Sequence, residues 1–283
     1  MAAIGVVGEI LLTLGLVILL FVLFEIFGSA YIAGKHQATL RSSLTPSIHK
    51  TAKPIVITHA PVPAPALTTP TPSGGTPIAI LTIPEIGLNT VVIQGAGTLP
   101  LERGPGHYPL TSMPGQAGNV AIAGHRTTWG RPFYNLDRLH AGSKITLASP
   151  QGSFTYEVRK LYVVDPNDGR VLEPTARPSL TLTTCNPRFS ASTRLVARAV
   201  MVGSSLTPAD KVIWPKSAKP EPPPDPTPAW ILGIVSLLVI ATALVLARLL
   251  RRGWIVLLVG IPASIVVLMF FFAAVTPFLP ANL

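Results

Sequence analysis

Three residues in the middle of this chain have the side-chain types that acyl transfer through a thioester requires. Cys185 closes the run Thr181-Leu182-Thr183-Thr184-Cys185, His125 follows Gly124 well upstream, and Arg194 lies nine positions downstream of the cysteine. A thiolate is a nucleophile, an imidazole carries a proton near neutral pH, and a guanidinium is a fixed cation for charge developing on a carbonyl oxygen. Cys185 is the chain's only cysteine, so it forms no internal disulfide. A lone thiol in an oxidising compartment is a liability and invites a functional explanation. The plainer alternative is a small buried hydrophobe, the commoner fate of a lone cysteine in a β domain.

Position shifts the balance toward chemistry. The alternating run Ser179 to Thr184 suits a strand with one buried face, and Asn186-Pro187 breaks it just after the thiol. His125 likewise ends an alternating run, Asn119 to Gly124. The other histidines, 36, 49, 59, 107 and 140, stand in tether-like or turn-like contexts. Arg194 and Arg198 share one strand face by the period of two. Either is a candidate for the cation, with the turn after Cys185 favouring Arg194. One cysteine and scattered histidines give no zinc-type ligand spacing, so no metal is expected, and these residues imply no organic cofactor.

The elements that must position these residues are short. β-like runs cover 78–83, 89–94, 119–123, 144–148, 152–164, 179–184 and 194–202, with helical pieces near 99–103 and 133–139. Gly, Pro, Asn and Asp clusters separate them, and many short strands at this spacing argue for a barrel or sandwich.

The rest of the 283 residues is of another kind. Hydrophobic residues make up 48% and charged residues 12%, which points to membrane segments. We expect an N-terminal membrane anchor at 1–35, retained rather than cleaved as a signal peptide. A Pro/Thr/Ala-rich extracytoplasmic linker over 36–77 follows, then the catalytic domain at 78–203 and a Pro-rich linker at 204–229. A membrane hairpin closes the chain: transmembrane helix 230–247, basic cytoplasmic turn 248–253, transmembrane helix 254–276 and a short tail 277–283. Each proline tract, 54–77 and 215–228, carries seven prolines and reads as an extended tether. Arginines 248, 251 and 252 place the turn in the cytoplasm by the positive-inside rule, and hence the central domain outside a multi-pass cell-membrane protein.

The net charge is +10, with twelve Lys and Arg against seven Asp and Glu inside the central domain. No basic stripe interleaves with aromatics, so nucleic-acid binding is disfavoured. The excess suits either an anionic lipid headgroup or wall polymer, or an arginine-rich solvated surface.

Order narrows the chemistry. Histidine before cysteine reverses the papain arrangement, and TTCNP is not the caspase pattern. An L,D-transpeptidase would show a SHGC-type motif. Five ordered blocks resemble the sortase family: Ile83-Pro84-Glu85-Ile86-Gly87-Leu88, GPGHYP at 104–109, GNVAIAGHRTTWGRPFYNL at 118–136, VLEP before the cysteine strand, and TLTTC with Arg194 beyond it. Among sortases the chain is most similar to class E of actinobacteria. Trp129 stands where that group commonly has tyrosine, at the edge of the substrate groove. No DPW- or DPF-type lid motif precedes the domain, unlike the pilin-polymerising class.

The resemblance implies an all-β fold, a closed eight-stranded sortase-type barrel with short helices, beside the three expected transmembrane helices. It implies that Cys185, His125 and Arg194 are catalytic, with Thr184 and Trp129 at the substrate. The implied reaction cleaves an LAxTG- or LPxTG-like sorting signal between Thr and Gly. The implied partners are secreted proteins with a C-terminal LxxTG-type signal, a lipid-linked cell-wall precursor amine and membrane lipids. A cysteine hydrolase on the same scaffold and a non-catalytic membrane adaptor are the alternatives.

Overall fold

The computed structural model describes residues 2–50, 72–202, 227–250 and 260–275. They fall into two compact units, a helical one and a barrel unit that begins at Ala30.

α1 spans Ala2–Leu23, and a five-residue π-helical stretch, Phe24–Gly28, leads into α2, Ser29–Lys50, which from Ala30 on belongs to the barrel unit. One helical run among the described residues, Leu14–Ile48, is long and apolar enough to cross a membrane. The expectation of three such helices is corrected here. Another helix runs Thr227–Leu250, but its apolar stretch is Thr227–Thr242. The helix Ile261–Val275, the last among the described residues, has 15 residues. At ~1.5 Å per residue that is about 22 Å, short of a ~30 Å hydrocarbon core. The helix also continues through Arg248, which was expected in the turn, while 251–259 lie outside the described residues.

The expected linker differs as well. Its first residues, to Lys50, are helical and belong to α2. Leu40 and Leu44 are buried there in a small apolar cluster with Val91 and Ile93 of the barrel. Gln37 shows why the helix stays. Its Oε1 accepts from the Val91 N–H at 2.7 Å, and its Nε2 donates to the Val91 carbonyl at 3.0 Å and the Arg103 carbonyl at 2.8 Å. Those are the two bonds a neighbouring strand would make to Val91, so a side-chain amide covers an open strand edge. Most of both proline tracts, 51–71 and 203–226, lies outside the described residues.

The barrel strands are β1 (Pro77–Ile83), β2 (Leu88–Gln94), β3 (Gly106–His107), β4 (Asn119–Ala123), β5 (Lys144–Ser149), β6 (Gly152–Val164), β7 (Ser179–Asn186) and β8 (Thr193–Val202). A short helix, α3 (Thr98–Arg103), lies between β2 and β3. The barrel closes in the order β1-β2-β3-β4-β7-β8-β6-β5. Closure leaves no long edge exposed. Alternation fills the interior: Ile78, Leu81, Val120, Ile122, Ile145, Leu147, Tyr156, Leu180 and Leu182 are all fully buried in one core.

Two pairings are parallel, β2 with β3 and β4 with β7. The second matters most. Parallel neighbours finish at the same end, so whatever follows Ala123 stands beside whatever follows Thr183. β8 starts at that end too, because it runs antiparallel to β7.

Candidate active site

Register assembles the site. β4 and β7 pair Asn119 with Ser179 through Ala123 with Thr183, a constant offset. The same offset separates His125 from Cys185, each two residues past the last ladder pair. Two bonds extend the zip past the ladder: the Gly124 N–H donates to the Thr183 carbonyl at 3.1 Å, and the Thr184 hydroxyl to the Gly124 carbonyl at 2.7 Å. Gly124 is required by packing. A Cβ there would lie 2.7 Å from the Phe133 ring, and Phe133 is fully buried beneath the loop. The His125 carbonyl accepts from the Phe133 N–H at 3.1 Å, and Nδ1 of the buried imidazole lies 3.3 Å from the Thr128 hydroxyl.

On the other side, Cys185 and Arg194 are direct cross-strand partners. Arg194 Nη1 donates to Sγ at 3.5 Å and to the Ala191 carbonyl at 3.5 Å. Cys185 is only 4% exposed. Burial pushes its thiol up from the ordinary range, while the Arg194 charge and, after it, the Arg126 charge pull it back. A cleft of about 190 Å³ reaches this corner, lined by Arg194, Thr183, Tyr108 and the β6–β7 loop at Asp165, Asn167 and Asp168.

The open choice between the two arginines is resolved by register. Arg198 pairs with Thr181, four residues along β8 and roughly 13 Å from Arg194. Its Nη2 donates to the Val171 carbonyl at 3.2 Å, and the Asn119 amide donates to the same carbonyl at 2.9 Å. Arg198 therefore braces the loop that walls the cleft.

Thr184 and Trp129, expected at the substrate, are both buried. Alternation turns Thr184 away from the face that carries Thr183 and Cys185, and its hydroxyl is committed to Gly124. Thr183 is the threonine that lines the cleft. Trp129 is 7% exposed and has a left-handed backbone, φ 50°.

Sequence reasoning passed over Arg126. Its guanidinium is buried, with Nη1 donating to the Cys185 carbonyl at 3.1 Å and to Asn186 Oδ1 at 2.8 Å. Its Nη2 lies 3.4 Å from Asp137 Oδ2. The signal was present: an arginine directly after the histidine of a strand-end loop. His107 is the other buried polar group of note. Its ring nitrogens lie 2.9 Å from Gln94 Oε1 and 2.9 Å from the Ser112 carbonyl, and burial lowers its pKa to about 4, so it is neutral. Among the described residues no group of His, Cys, Asp and Glu is arranged to hold a metal.

A model of the sortase domain matches residues 81–202. Sortase SrtE1 of Streptomyces coelicolor is 29% identical over 212 residues, covering 69% of this chain and 56% of that protein. The chain thus spans little more than half the length of that relative. Sortase D of Bacillus subtilis is 32% identical over 137 residues, covering 48% of this chain and 67% of its own length. The solved structure of sortase E from Streptomyces avermitilis is 36% identical, covering 47% of this chain and 92% of that one, with a TM-score of 0.43. By its barrel-domain sequence and its similarity to sortases D and E1, the chain belongs to the sortase family.

Proposed function

We propose that this protein is a cysteine transpeptidase, anchored by its N-terminal helix with the barrel outside the membrane, that transfers proteins carrying an LAxTG- or LPxTG-like signal to a cell-wall precursor amine. The Cys185 thiolate attacks the carbonyl carbon between Thr and Gly, and Arg194 donates to the oxygen as it takes up negative charge. The C–N bond breaks, His125 gives its proton to the departing glycine amine, and the acyl group remains on sulfur as a thioester. The incoming amine then loses a proton to His125 and attacks the thioester, and the thiolate leaves.

The observation that carries this reading is Arg194 Nη1 3.5 Å from Cys185 Sγ, with His125 and Cys185 each two residues past the last β4–β7 ladder pair. The test is incubation of the purified chain with LAxTG and LPxTG peptides, with and without triglycine, followed by mass spectrometry. The expected product is the peptide cut after Thr and joined to triglycine. Free acid alone in both arms would assign a hydrolase instead.

A further inference from the structure

Arg126 sits behind the thiol. Its side chain is 4% exposed; Nη1 donates both to the Cys185 carbonyl and to Asn186 Oδ1, while Nη2, the other prong, reaches Asp137. The nearest carboxylate, Asp137, is shared, because Arg188 Nη2 donates to both its oxygens at 2.8 and 2.9 Å. Arg188 is held independently by the Tyr134 carbonyl at 3.2 Å and by the Tyr134 ring, 4.5 Å from the guanidinium carbon. Two guanidinium groups thus divide one anion, and the pair leaves a net positive charge under the end of β7. Burying a charge with incomplete compensation is costly. A core hydrophobe would fill the space at lower cost, so the guanidinium needs another reason to be there.

We propose that Arg126 is a positioning residue for the reaction at Cys185: its planar fork ties the cysteine carbonyl and Asn186, held by Nη1, to Asp137, held by Nη2, so that the thiol keeps its place relative to His125, and it supplies a second fixed positive charge behind the sulfur. Its position supports both parts. Arg126 follows His125 directly, so the loop that presents the imidazole also clamps the strand that presents the thiol. Burial pulls the Arg126 guanidinium down from the usual arginine range and Asp137 pulls it back, yet an arginine remains cationic at any working pH. The consequence for turnover rests on the transpeptidase reading; the consequence for the thiol does not.

Two variants of the full chain, Arg126→Gln and Arg126→Lys, separate fork from charge. The readouts are iodoacetamide alkylation of Cys185 across pH, kcat and KM for an LAxTG peptide with triglycine, and the melting temperature. Arg126→Gln loses the charge, so its alkylation profile should move to higher pH and its rate at pH 8 fall by about three- to tenfold. Arg126→Lys keeps the charge but not the fork, so alkylation should stay within about twofold of wild type. Both variants should lose about tenfold or more in kcat with KM within about threefold. A folded Arg126→Gln with the wild-type alkylation profile, or a folded Arg126→Lys with wild-type kcat, overturns the proposal. Should the Gln variant not fold, kcat of the Lys variant decides alone. Should the wild type transfer none of the peptides, the transpeptidase reading has failed, and the alkylation profiles still decide the role of Arg126.

Discussion

Cys185 and Arg194 face one another across the β7–β8 ladder, and the guanidinium reaches the sulfur at 3.5 Å. Cross-strand partners are set by the ladder register, so the strand backbone that carries the cation is placed by the sheet and not by a flexible loop. Its planar fork can then meet a carbonyl oxygen without reorganising.

Arg194→Lys should therefore be severe. It keeps the charge but loses the paired donors, and removal of one oxyanion donor typically costs about 2.7–4 kcal/mol, roughly 10²–10³ in kcat. Arg198→Lys loses one bond to the cleft wall at Val171. It should raise KM by a few-fold and leave kcat within about threefold. Steady-state kinetics on both variants, with circular dichroism to confirm folding, checks the pair.

Gly124→Ala should disturb His125 without touching it. The added Cβ would meet the Phe133 ring at 2.7 Å, so the ring or the loop must move. Overpacking of this kind costs about 1–3 kcal/mol. The melting temperature should drop by several degrees, and kcat should fall about tenfold or more. A fully active, fully stable variant would show that the loop tolerates displacement.

Thr184→Val tests the zip between β4 and β7. The change is nearly isosteric but removes the bond to the Gly124 carbonyl. Leaving that buried acceptor without its donor should cost about 1–3 kcal/mol. Urea unfolding measures the loss, and kcat should fall more than KM rises, because the hydroxyl holds the site together and does not line the cleft.

His107 gives stability a pH dependence of definite sign. Its pKa is about 4 in the folded protein against 6.5 for the free side chain. Above pH 6.5 both states are neutral and the protein has its full stability. As pH falls from 6.5 toward 4 the unfolded state takes up the proton first, and up to about 3 kcal/mol is lost. Urea unfolding at pH 7.5, 5.5 and 4.5 should show this decline, and a folded His107→Gln should show a shallower one.

The strand pattern was legible where runs were long enough to alternate. β4 and β6 fall on the residues their periodicity marks, and β7 on those plus Cys185 and Asn186. β3 was not legible, because two residues between Pro105 and Tyr108 carry no period. Which strands pair is also invisible in a run of residues, so the turn after Cys185 only favoured Arg194 over Arg198, and the register shows which of them faces the thiol. Arg126 was missed for the same reason: its role lies in bonds to Cys185 and Asn186, far away in sequence. The two C-terminal apolar stretches were read by composition, while crossing a bilayer depends on the length of continuous apolar helix, and there the described helices fall short.

The central claim is that the acyl group passes through Cys185. Intact-protein mass spectrometry after rapid acid quenching of wild type with an LAxTG peptide measures it directly. The account predicts a species heavier by the peptide fragment ending in Thr, carried on Cys185, lost when triglycine is added and absent from Cys185→Ala. The same adduct on Cys185→Ala, or peptide joined to triglycine by that variant, would contradict it.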